Sequence, residues 1–392
     1  MVSVRRLRFS RDDRAAGIYR QVPFDVPAGA PAVAVTIDHD RSAAVIDLGA
    51  LDPQGFRGWS GGARDGYVIT PAAATPGYLP GALPAGTWSV LLGLHRVPAG
   101  GIDVTVTTSV APAHPAPLPP PPPPPQRPPR RHLPAEGDRR WLACDLHAHT
   151  VHSDGQLTIA ALACRAAARG LDVLAVTDHN TTSHHPHLAA AGRHAGVRLL
   201  PGQEITTDTG HANCFGDVGW VDFREPADAW RATADARGGL LSLNHPLAGD
   251  CAWRRPLREP PRLVEAWHSS WDRVDDAPLR WWTGRGGVPV GGSDFHRPGD
   301  PGPGAPTTWV EAEGDDVLGA LAAGRVALSA QPAGPVLLRH DGELVAVDAG
   351  GTTLVGPDGA RRPVRADAVR VSGGPGPHRL VDDTGRTLAL AP

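Results

Sequence analysis

The chain has 392 residues, a formal net charge of -3 and a pI near 6.6, which argues against a protein that holds nucleic acid by bulk electrostatics. All 38 basic residues are arginines, so Schiff-base chemistry and a P-loop lysine are excluded. No apolar run reaches membrane-spanning length, and Arg11, Asp12, Asp13 and Arg14 stand where a signal peptide needs an apolar core. The expectation is a cytoplasmic protein with no membrane contact and sequence enough for two or three domains.

Residues 1–112 alternate in the manner of strands, at 33–37 (VAVTI), 67–69 (YVI), 88–92 (WSVLL) and 102–106 (IDVTV), broken by Pro/Gly turns. No segment there has helical periodicity, so an antiparallel β-sandwich or jelly-roll-like domain is expected. Trp59 and Trp88 read as core aromatics, and His39 and His95 as surface polar residues. Residues 113–138 form a linker with an unbroken proline run at 119–125. Proline fixes φ and donates no backbone hydrogen bond, so the run predicts a semi-rigid spacer of ~3.1 Å per residue.

From Trp141 the pattern changes to strands alternating with helices. Helices are expected at 158–169, ending at Gly170, and at 187–194, 226–237 and 316–324, which implies a parallel sheet or barrel for residues 139–330. Residues 331–392 are Gly/Pro/Asp-rich with short β-like runs and read as a small β appendage. The four cysteines, Cys144, Cys164, Cys214 and Cys251, form no Cys-x-x-Cys pair and read as free thiols.

Of the 18 histidines, 12 lie between His147 and His296. His147 and His149 follow an apolar run and are two apart, so on a strand they face one side and converge on one metal, with His152 and Asp154 in the turn beyond. Four further strand-like runs end in ligand-type residues: Asp178-His179, Glu204, Asn244-His245 and Asp294-Phe295-His296. Parallel strands gather their C-termini on one face, so such a series assembles one site from distant sequence. His184, His185, His187 and His194 lack a strand-end position and read as solvated helix residues.

The ordered motifs DLHAHTVHSDG, AVTDHN, PGQEIT, NHP and GGSDFH resemble the polymerase and histidinol phosphatase (PHP) superfamily of metallohydrolases, and the first motif with the extra N-terminal region looks most like its carbaryl-hydrolase-like branch. The resemblance implies an α/β fold, a distorted (β/α)7 barrel, here preceded by the sandwich and followed by the β appendage. It also implies two or three divalent cations, Zn, Mn or Fe. One is held by His147, His149, Glu204 and Asp294. A second shares Glu204 and takes His211, in the turn after it, and His245. A third takes Asp154 or His152, His179 and His296.

Cations held this way lower the pKa of coordinated water to ~7 and dispense with a protein nucleophile. His268 is expected to contact substrate or donate a proton, and Asp178 to steady the His179 that follows it. Arg254, Arg255 and Arg297 are expected to clamp a phosphate. Metal-dependent phosphoesterase activity on a small molecule is the expected function, with Glu204, His268 and Asp178 as catalytic residues. A carboxylic or carbamate ester hydrolase is the alternative, and a non-catalytic metal-holding scaffold is the alternative of another class.

Overall fold

A computed structural model describes residues 2–271 and 276–392 of the chain. The fold is mixed α/β with sheets predominating, and it divides into two compact units. The first runs through Pro120 and adds Thr150–Thr158 and Asp178–Pro186; the second comprises Pro121–His149, Ile159–Thr177 and His187–Pro392. Among the described residues no helix is long and apolar enough to cross a membrane.

In the first unit the strands arise from strict alternation, as in Ile102–Ser109, where every second side chain is buried. Val2–Phe9, Ile102–Ser109, Val33–Asp38 and Gly66–Ile69 form one antiparallel sheet, and Tyr19–Val26, Gly86–Arg96, Val45–Asp52 and Gly55–Gly61 a second. Both sheets feed one core, with Val33, Val35, Ile37, Val104 and Val106 from one and Ile46, Leu48, Trp88, Val90 and Leu92 from the other. Trp88 is fully buried with Nε1 donating to Pro84 O, and Trp59 is buried as well, so both are core residues.

One expectation fails here. Arg11–Ala16 is an α-helix, too short to show periodicity, and is fixed instead by a capping box between Ser10 and Asp13. The sheets of this unit also hold its two added loops. Arg64 donates to Val151 O and Ser153 O, Ser183 Oγ accepts from Gly77 N at 3.0 Å, and Thr181 Oγ1 donates to Gly77 O at 2.9 Å.

In the second unit a 13-stranded sheet runs, in part, Val288–Gly292, Leu263–His268, Leu240–Leu243, Gly210–Phe215, Arg198–Thr207, Val173–Val176, Arg139–Asp145, Thr307–Glu313 and Val326–Ser329. The expected parallel order is only partly present. Gly210–Phe215 is antiparallel to both neighbours, and Thr307–Glu313 is antiparallel to Arg139–Asp145. A two-residue connection at Asp208-Thr209 leaves room for a hairpin and none for a crossover helix, so the helix signal that flags parallel strands is missing there.

Thr308 Oγ1 accepts from Gly291 N at 2.7 Å and donates to Gly291 O at 2.9 Å, which brings Val288–Gly292 back against Thr307–Glu313. Helices Ile159–Ala168, His185–Ala195, Ala227–Ala236, Asp276–Arg285 and Val317–Ala322 intervene between strands. The first ends where Gly170 takes φ 88°, a left-handed conformation that glycine adopts without strain, and Leu171 N returns to Ala166 O.

Residues 122–131 do more than space the chain. In this unit Arg127 donates to Gly196 O and Leu171 O, Arg130 pairs with Asp172 at 2.8 Å, and Arg131 with Asp348 at 2.5 Å. At the C-terminus Thr387–Ala391 pairs with Val326–Ser329 in the same large sheet, while Leu337, Leu344, Leu354 and Leu380 share a small core of their own.

Candidate metal centre

Backbone hydrogen bonds at the strand ends of the second unit draw the motifs together. Thr177 N donates to Ala148 O, Glu204 N to Thr177 O, Asp294 N to His147 O and His149 N to Phe295 O, all at 2.8–3.1 Å. Asp145 anchors the first motif from below. Its carboxylate accepts from Ser293 Oγ at 2.5 Å, Ser293 N at 3.0 Å, Gly304 N at 2.8 Å and His147 N at 3.2 Å. Burial pushes its pKa up, and these donors pull it partly back.

Glu204 lies within the strand Arg198–Thr207 rather than at its end, fully buried, and the side chains converge on it. Its Oε1 is 3.3 Å from His147 Nε2, 3.2 Å from His211 Nδ1 and 3.4 Å from His245 Nε2, and Oε2 is 3.5 Å from His149 Nε2. Asp294 Oδ1 lies 3.1 Å from His147 Nε2 and 2.9 Å from His149 Nε2. Two ligand sets share Glu204, each with ligand atoms within 4.8 Å of one another: His147, His149, Glu204 and Asp294, and Glu204, His211 and His245; His147, His245, Glu265 and His268 form another such group in the same unit. His211 sits on the strand Gly210–Phe215, where the sequence reading expected a turn.

Burial pulls the His147 imidazole down, but Asp294, Glu204 and Glu265 overcome it and hold it well above its ordinary value. His245 is raised in the same way, by Glu204, Glu265 and Asp294. Burial pushes Asp294 up, and His147, His149 and His268 bring it well below the usual carboxylate range. Carboxylates strong enough to hold protons on buried imidazoles make a field that favours cations. The donor set fits a divalent metal on a separate ground: His147 Nε2 is buried with no hydrogen-bond partner while it faces two carboxylates. Imidazole and carboxylate ligands suit Zn, Mn and Fe alike.

His268 ends the strand Leu263–His268 and sets Nε2 3.2 Å from Asp294 Oδ2. Its Nδ1 accepts from Ser270 N at 3.2 Å, so the neutral ring carries its proton on Nε2. His296 stacks on His149 at 4.2 Å between centroids, and its Nδ1 is 2.7 Å from Asp294 O. The arginines are occupied to different degrees. Arg254 donates to Asp208 O at 2.5 Å, Arg255 lies over the Trp230 ring at 4.5 Å, and Arg297 is largely exposed with Nε 3.5 Å from Asp300.

In the first unit His179 Nε2 is 3.5 Å from Asp154 Oδ1, whereas His152 Nδ1 is 2.8 Å from Ser183 Oγ. Asp178 is fully buried and accepts from Thr150 N, Thr150 Oγ1 and Ser153 Oγ at 2.7–2.8 Å, so its carboxylate organises the loop after the first motif. His184 is a correction. It is fully buried, with Nδ1 3.3 Å from Asp178 Oδ2, because the helix begins only at His185 and leaves His184 on the inner side of the loop.

The sequence reading placed Asn244 at a strand end without its role, which is to donate to Glu204 Oε1 at 2.8 Å, and it missed Glu265, 3.1 Å from His147 Nδ1. Glu265 had a signal: a carboxylate in the apolar run 263–266 has little reason to be buried unless it is paired.

A PHP domain model matches residues 145–246. A 5'-3' exoribonuclease of Haemophilus influenzae is 41% identical over 64 residues, 16% of this chain and 23% of the relative. A 3',5'-nucleoside bisphosphate phosphatase of Chromobacterium violaceum is 40% identical over 84 residues, 21% of this chain and 29% of the relative. Each alignment thus spans less than a third of the relative's length. Among solved structures, a two-domain protein of Bacteroides vulgatus ATCC 8482 that contains a predicted PHP-like metal-dependent phosphoesterase aligns at 18% identity over 68% of this chain and 90% of its own, with a TM-score of 0.44. The motif order, the donor set around Glu204 and the family match agree: residues 145–246 of this chain are a PHP domain.

Proposed function

We propose that the second unit hydrolyses a small-molecule phosphoester with two divalent cations held around Glu204. The observation that carries this reading is one fully buried carboxylate within 3.5 Å of four imidazoles, with a second carboxylate, Asp294, facing two of the same rings. His147, His149, Glu204 and Asp294 hold one cation, and Glu204, His211 and His245 the other. When bound, such a pair supplies hydroxide at neutral pH and neutralises charge that develops on a phosphoryl group.

The protein's own residues do the rest. Glu204 offsets the repulsion between two dications, and Asn244 fixes the carboxylate that does so. His268, with Nε2 3.2 Å from Asp294 Oδ2, contacts the substrate and, as the imidazolium, gives a proton to the leaving oxygen and is left as neutral imidazole. Arg297, exposed after His296, meets substrate phosphate. The names of the relatives, a phosphatase and an exoribonuclease, favour a phosphorus electrophile. The strand series with its intervening helices supports a distorted (β/α)7 barrel as the frame, and the imidazole and carboxylate donors around Glu204 support Zn, Mn or Fe as the metal.

Purified chain loaded with Mn²⁺ or Zn²⁺ and offered nitrophenyl phosphates, nucleotides and naphthyl carbamates tests the reading. Phosphoester turnover that chelation abolishes is expected; turnover of carbamates alone would overturn it.

A further inference from the structure

Glu265 has no part in the two-cation scheme, yet it stands between the two ligand sets. It is 2% exposed on the strand Leu263–His268, and its two oxygens reach different ligands. Oε1 is 3.1 Å from His147 Nδ1, and Oε2 accepts the backbone N–H of His245 at 2.6 Å. A carboxylate at Nδ1 puts the ring proton there and leaves Nε2 with its lone pair toward Glu204 and Asp294. The bond to His245 holds a residue whose φ is 25°, a left-handed conformation unfavourable for a side chain with a Cβ.

Space has been kept for this arrangement at Gly292. A Cβ there would sit 2.4 Å from His147 Cβ and 2.5 Å from Glu265 Oε1, so any larger residue would push the carboxylate and the ring apart.

We propose that Glu265 is a positioning residue that ties the two cation sites together, orienting the His147 ring for one and the His245 backbone for the other. The inference rests on the two-cation reading above. Both partners are hydrogen-bond donors toward Glu265, so a glutamine can accept from only one and must turn its amide N–H toward the other.

The test is metal titration of the full-length chain, wild type and Glu265→Gln, with Mn²⁺ or Zn²⁺ against a competing chelator, and elemental analysis of the loaded protein. Wild type is expected to take two equivalents. In the variant both are expected to bind about 10–100-fold more weakly. Weakening of a single equivalent, or of neither, overturns the tie and leaves the two-cation reading standing. A wild type that takes no metal overturns both. If the glutamine variant does not fold, Glu265→Asp serves: it keeps the charge but is too short to reach both partners. The same loss at both sites is expected, and full affinity at either refutes the proposal.

Discussion

Replacing Glu204 with glutamine removes one charge and almost no volume. The carboxylate is fully buried, with Oε1 between 3.2 and 3.4 Å from three imidazoles, so whatever binds there feels it at short range and little screened by water. One unit of charge at ~4 Å and an effective dielectric constant of ~20 is worth ~4 kcal/mol, which is about a thousandfold in affinity and a lower bound for a dication. A glutamine oxygen still accepts from Asn244, now at 2.8 Å from Oε1, so the local fold should survive. Elemental analysis after dialysis should show both metals lost. Differential scanning calorimetry with and without metal should show the metal-dependent stabilisation, ~4 kcal/mol at a thousandfold excess over Kd, disappearing. A Glu204→Gln chain that keeps two metals and wild-type turnover would refute the bridging role.

Four more outcomes are expected. If a third cation is held as the family resemblance implies, His179→Ala should bind one metal fewer than wild type and lose activity through both KM and kcat; unchanged stoichiometry with near wild-type kinetics would return His179 to a structural role. Burial pushes the Asp47 carboxyl up to about 7, with His179 drawing it partly back. Its folded pKa exceeds the unfolded ~3.9, so the folded chain binds this proton more tightly and wild type loses stability as pH rises from about 4 to about 7. Asp47→Asn removes that slope, and its advantage in urea melts should grow across this window to about 2 kcal/mol, less than the full shift because the carboxylate is partly exposed; a difference independent of pH would refute it. Arg64→Ala should cost about 1–3 kcal/mol, because the Val151 and Ser153 carbonyls lose their donor. For the same reason a fragment starting at Arg139, which a pure spacer would allow to fold alone, is expected to leave Thr150–Thr158 and Asp178–Pro186 without their packing partners and to melt lower than the full chain or precipitate.

Much of the centre was legible because its signals are local. His147 and His149 sit two apart beyond an apolar strand, and Asp294 follows another, so period and position alone nominate them. His245 is nominated in the same way, and the fold brings it to 3.4 Å from Glu204. Glu265 and the role of Asn244 escaped because their meaning lies in long-range pairing: Glu265 is 118 residues from the His147 ring it meets, and Asn244 is 40 from the carboxylate it donates to. The parallel order was over-read for a related reason. Strand patterns give no direction, and the antiparallel insertion Gly210–Phe215 is set only by the short connection before it. The Arg11–Ala16 helix escaped because a capping box, not an apolar stripe, stabilises it.

The strained positions explain why these long-range partners matter. His245 and Asp294 both have positive φ, 25° and 49°, at a cost of about 1–3 kcal/mol each that a relaxed loop would shed. Each is held by a buried bond to another part of the site, His245 N to Glu265 Oε2 at 2.6 Å and Asp294 N to His147 O at 2.8 Å. Removing either bond would let the residue relax out of its strained conformation and would strand a buried acceptor; the relief partly offsets the stranding cost, and the side chain no longer stays where the site needs it. On the two-cation reading, the geometry of the proposed ligands is therefore fixed by the protein before any cation arrives. Binding energy then goes into affinity and not into ordering loops, and substitutions that leave every ligand in place can still weaken metal binding.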